Sequence, residues 1–148
     1  MSKELAVVAT MAAGGLAAAQ APANNIISQK VGDLGAVTVN FLFGTVMVLV
    51  VTYAFAGGIE VDKAEPTPAW YYWILGALAG VVIVLFGLIA VREVGASGVT
   101  VAIIAGQLAL SVVLDQLGVL GLEQRSITWE KLLGIALLAV AVFLIVRE

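Results

Sequence analysis

A few polar side chains interrupt long apolar runs, and their spacing groups them on helical faces. Gln20 and Asn24 stand at i, i+4, and Ser28 continues the row. Pro22 lies between the two amides. A proline inside a helix removes one N–H donor and frees the carbonyl about four residues back, near Ala18. Two amides beside a freed carbonyl make a hydrogen-bonding spot. That spot could hold a polar solute, or it could satisfy the broken backbone and a neighbouring helix. Farther along, Thr100, Gln107, Ser111 and Asp115 fall on one face, at spacings of 7, 4 and 4. A carboxylate inside a membrane is a natural place to couple a proton or cation. Asp115 could equally cap the following loop or meet Arg125. Asn40 and Gly44 are also i, i+4, on a different face from Thr38, Thr45 and Thr52. Such threonines usually bond their own i−4 carbonyl, which makes them packing residues.

Other chemistry is excluded by composition. There is no histidine and no cysteine, so imidazole acid–base work, thiol catalysis, disulfides and His or Cys metal ligation are ruled out. No nucleophile–base pair, paired carboxylates or phosphate loop is present. An enzyme is therefore not expected, nor a cofactor, nor a bound metal. The net charge is −3, without the basic patch that nucleic acid requires.

Of the 148 residues, 62% are hydrophobic and 11% are charged, and the mean hydropathy is +1.12. A soluble domain is about one quarter charged. This chain is expected to be an integral membrane protein in a lipid bilayer. A spanning helix takes about 20 apolar residues, and five stretches meet that length: 5–28, 36–55, 70–91, 99–117 and 129–146. The segments between them, 29–35, 56–69, 92–98 and 118–128, are short and polar. Glu60, Asp62, Lys63, Glu65, Pro66 and Pro68 read as a solvated connection, and Arg92 and Glu93 as the end of the third helix. Strand-period alternation is missing, which argues against a transmembrane barrel. The first stretch is too long for a signal peptide and reads as a retained helix. Gly76 and Gly80 form a G-x-x-x-G in the third helix, a pattern that lets helices pack closely.

Five passes put the termini on opposite sides. Lys3, Lys63, Arg125 and Lys131 then share the N-terminal side, and Lys30, Arg92 and Arg147 the other. Orientation follows the Lys/Arg bias of short loops, and four against three is nearly no bias. Either the first helix decides, or the chain inserts both ways and pairs with an inverted copy of itself. The aromatic residues are also uneven. Trp70, Tyr71, Tyr72, Trp73 and Trp129 lie on the N-terminal side, with Tyr53 close by. An antiparallel pair would give both leaflets an aromatic belt.

Two segments carry a resemblance. One is Gln20-Ala-Pro-Ala-Asn24, with Phe41 and Gly44-Thr45 downstream; the other is Gly106-Gln107, Ser111, Asp115-Gln-Leu-Gly118 and Gly121. Together with five helices they resemble the YdcZ-like family, a half-size branch of the drug/metabolite transporter superfamily. The resemblance spans nearly the whole chain. It implies a transporter distantly related to the small multidrug resistance proteins and to ten-helix transporters built from 5+5 inverted repeats. The family pattern usually has a histidine and an aromatic after the aspartate, where this chain has Gln116 and Leu117, and a serine where it has Asn40. Small multidrug resistance proteins carry an essential glutamate in the first helix; here that region holds Gln20 and Asn24, so a glutamate-based proton exchange does not carry over.

The expected fold is an all-α membrane protein of five transmembrane helices, one domain over residues 1–148, forming an antiparallel homodimer of ten helices like an inverted repeat. The expected function is transport of a small polar or amphipathic solute by alternating access at a dimer-interface cavity. Gln20, Asn24, Asn40, Gln107 and Ser111 would bind the solute, with Asp115 coupling an ion and Pro22, Gly76 and Gly80 shaping the helices. The expected location is a bacterial-type cytoplasmic (inner) membrane. The alternatives are a structural or assembly subunit, a half-transporter needing a second chain, or a passive channel. A channel would show a continuous polar stripe, which these clustered residues do not make.

Overall fold

The computed structural model describes residues 2–60 and 67–147. Asp62, Lys63, Glu65 and Pro66 of the solvated connection lie outside them, as does Glu148. Among the described residues there are four helices and no strands: α1 (Lys3–Val31), α2 (Asp33–Phe55), α3 (Trp70–Leu117) and α4 (Trp129–Val146). All four are long and apolar enough to cross a membrane. Their sequences explain them, being runs of Ala, Leu, Val and Ile without internal charge beyond a helix end or joint. Helix α1 continues through Pro22. Thr128 begins α4, its side-chain oxygen accepting from the Lys131 N–H at 3.5 Å.

The breaks differ from the sequence expectation. Between α1 and α2 no loop of seven residues exists; Gly32 alone separates the helices, at φ 76° and ψ 167°. The expected loop 92–98 is likewise one residue. Helix α3 runs 48 residues, and only Gly95 departs from helical geometry, at φ 66° and ψ 177°. That region is essentially restricted to glycine. Both joints read Val-Gly-x-x-Gly: Val31-Gly-Asp-Leu-Gly35 and Val94-Gly-Ala-Ser-Gly98. The second glycine of each leaves little room for a side chain, least at Gly98. A Cβ at Gly35 would lie 3.0 Å from the Val31 Cβ, and one at Gly98 would lie 2.8 Å from the Val94 Cβ. Lys30, Asp33, Arg92 and Glu93 looked like loop residues, yet they lie in helix beside the two glycine joints.

The chain divides into two compact units, and both divisions fall inside helices, at Pro22 and at Ala90. The unit Pro22–Ile89 has a core of Val37, Val84 and Leu88, with Phe41, Ile83 and Leu85 packed against it. Of the G-x-x-x-G pair, Gly80 faces Phe41, because a Cβ there would lie 3.3 Å from the Phe41 ring, whereas nothing stands within 4 Å of Gly76. In the other unit, Met1–Ala21 with Ala90–Glu148, Val99, Val101 and Val112 are buried. Large apolar side chains such as Phe43, Phe86 and Phe143 are exposed, as expected of surfaces solvated by lipid.

Candidate functional site

Gly32 positions the most distinctive polar contact. Asn24 lies eight residues before this joint and Asn40 eight residues after it. With a rise of about 1.5 Å per residue, each asparagine sits about 12 Å along its helix from the same turn. Two helices leaving one tight turn therefore bring them level. The Asn40 Nδ2 donates to the Asn24 Oδ1 at 3.0 Å. Asn24 is 2% exposed. Its own Nδ2 is buried and has no hydrogen-bond partner among the described residues. A buried unpaired donor costs about 1–3 kcal/mol, so native chains seldom keep one without a reason. Ser28, one turn nearer the joint, is also buried, and its hydroxyl donates to the Asn25 carbonyl at 2.8 Å.

The other candidate solute- and ion-binding residues, Gln20, Gln107, Ser111 and Asp115, fall in the other unit. Gln20 is exposed on α1, and Gln107 and Ser111 are exposed on α3 beyond Gly95. The Ser111 hydroxyl turns back onto its own helix, donating to the Leu108 carbonyl at 2.9 Å. Thr38 and Thr100 do the same with the carbonyls of Leu34 and Ala96, both at 2.8 Å. Asp115 is half-buried, and its Oδ2 lies 3.5 Å from the Lys131 Nζ. Its backbone carbonyl accepts from the Arg125 N–H at 2.8 Å. The Arg125 guanidinium itself stands 3.9 Å from Glu123.

One role escaped the sequence reading. Gln116 fastens the loop between α3 and α4 at two points. Its Oε1 accepts from the Ile127 N–H at 2.8 Å, and its carbonyl accepts from the Gln124 Nε2 at 2.9 Å. Together with the Arg125 bond to Asp115, these contacts satisfy two of the carbonyls that a helix end leaves open. The turn runs through Gly118, Leu120 and Gly121, at φ 61°, 59° and 78°. The glycine pair at 118 and 121 was the available signal.

Four helices long and apolar enough to cross a membrane describe a multi-pass membrane protein. The sequence pattern of the family described as "Putative inner membrane exporter, YdcZ" matches residues 5–144. The chain belongs to that family, and so to the inner membrane. No curated protein and no solved structure matches it.

Proposed function

We propose that the protein exports a small polar or amphipathic solute across the inner membrane by alternating access. The observation that carries this reading is the Asn24–Asn40 pair, an amide contact in which Asn24 is buried and one of its donors is left open, in a chain of an exporter family. The chain is no enzyme in this reading and needs no cofactor or metal. Asp115 is where a coupling ion would compete with Lys131.

The chain crosses the membrane five times in this account. A straight helix of 48 residues would be about 72 Å long, more than twice the hydrocarbon thickness. Helix α3 must leave the bilayer within its length, and the Arg92-Glu93-Val94-Gly95 segment supports that exit. Five passes with a near-even Lys/Arg distribution favour two orientations and an antiparallel homodimer, whose two-fold axis gives the symmetry that alternating access uses.

A compound-sensitivity array tests the export function. Cells overproducing the wild-type chain should tolerate at least one compound better than cells producing Asn24→Leu, with equal protein in the membrane. Identical sensitivity to every compound would overturn the reading and favour an assembly subunit.

A further inference from the structure

The polar atoms offered within the apolar helices have a sign and a charge. In the unit Pro22–Ile89, the orphan is an N–H donor, the Asn24 Nδ2. The acceptor end of the same carboxamide is already occupied by Asn40. Between Lys30 and Glu60 the only charged residue is Asp33, next to the joint, and none lies within 70–91. Nothing charged therefore flanks the amide pair in the spanning stretches. A site without a fixed charge gives an ion no compensation for leaving water, and in a low-dielectric layer that desolvation dominates. A cation would additionally face an N–H dipole of the wrong sign. The orphan donor, in contrast, gains a full hydrogen bond when an acceptor reaches it, which is worth most where water is absent.

We propose that the Asn24 carboxamide is reserved as a hydrogen-bond donor for the transported solute, and that the solute is a neutral amphipathic molecule carrying a strong acceptor such as a carbonyl, sulfoxide or phosphoryl oxygen. Hydrophobic cations are excluded from this site. The inference rests on the export reading and names its substrate class. In the present conformation the amide is covered, so the solute meets it in a conformation that uncovers Asn24. The unpaired donor favours that opening, because it gains a hydrogen bond once the solute's acceptor reaches it.

Tertiary phosphine oxides and methylphosphonium cations test this, since the two series match in size and differ in charge and acceptor. The probes are triethyl-, tributyl- and triphenylphosphine oxide and the corresponding methylphosphonium ions, added to the full chain in lipid nanodiscs with nitrogen-15-labelled asparagine. At least one oxide should shift the Asn24 side-chain amide resonance saturably, and the phosphonium of the same size should not. Asn24→Leu should weaken binding of that oxide at least tenfold, and Asn24→Ser, which keeps an O–H donor, should restore part of it. A phosphonium bound as tightly as its oxide overturns the proposal. So does a failure of every oxide to move the Asn24 resonance, or an Asn24 amide that stays bound to an ordered water throughout. The wild-type resonance decides the matter even if the leucine variant does not fold. The two readings fail separately: Asn24-dependent export of a cation in the sensitivity array would sink this inference and leave the export function standing.

Discussion

Asn24 is held by one hydrogen bond and lacks another, so its neighbours should show strong coupling. Asn40→Leu strips the partner from the Asn24 Oδ1 and leaves both ends of a buried amide unsatisfied. It should destabilise the protein by about 1–3 kcal/mol. Asn24→Leu/Asn40→Leu replaces both groups by apolar ones of similar size and should recover part of that loss. The double-mutant cycle, read by unfolding in mixed micelles, should give a coupling near the average of about 0.6 kcal/mol for helix–helix hydrogen bonds in membranes, and no more than about 1.7 kcal/mol. Additive losses would mean that the two amides do not depend on each other. The row Gln20, Asn24, Ser28 was legible in the sequence, because a 3.6-residue period reads directly from spacing. The partner was not. Asn40 lies on another helix, and its pairing follows from the position of the turn, which the polar residues around Gly32 concealed.

At the scale of elements, the helices were legible and their joints were not. Apolar runs without charge announce spanning helices, and the stretches 36–55 and 129–146 agree with α2 and α4 to within a few residues. Lys30, Asp33, Arg92 and Glu93 suggested loops, but the chain stays helical to the last residue before each glycine. The two Val-Gly-x-x-Gly joints make a specific prediction. Gly32→Ala and Gly95→Ala force a side chain into a positive-φ conformation and should each cost about 1–3 kcal/mol. Neither Cβ would meet another atom within 4 Å, so the cost is conformational. Gly106→Ala, in a helix with equally open surroundings, should be neutral or stabilising by up to about 1 kcal/mol. Thermal unfolding in detergent would separate these outcomes, and equal effects at all three sites would contradict the joints. The loop 118–128 is a second element with a definite structure. Gln116→Ala removes the acceptor of the Ile127 N–H and should speed proteolytic cleavage within that loop. An unchanged cleavage rate would show that the clasp does not hold it.

The account of the whole molecule makes orientation testable. Ser2→Cys and Glu148→Cys add a thiol to a chain that has none. In intact cells, a membrane-impermeant thiol reagent should label both variants to about half. Full labelling of one and none of the other would establish a single orientation and refute the antiparallel homodimer. Adding two or three lysines beside Lys3 should lock the orientation with that side cytoplasmic. The locked chain should then label at the C-terminal cysteine only, as five passes require; labelling of neither terminus would indicate four. The central claim is that this chain moves a solute past its buried amide pair. The most direct test is efflux of the compound found by the sensitivity array from liposomes containing the purified protein. The account predicts saturable, protein-dependent efflux that falls at least tenfold in Asn24→Leu/Asn40→Leu. Efflux no faster than from protein-free liposomes, or efflux untouched by the double substitution, would contradict it.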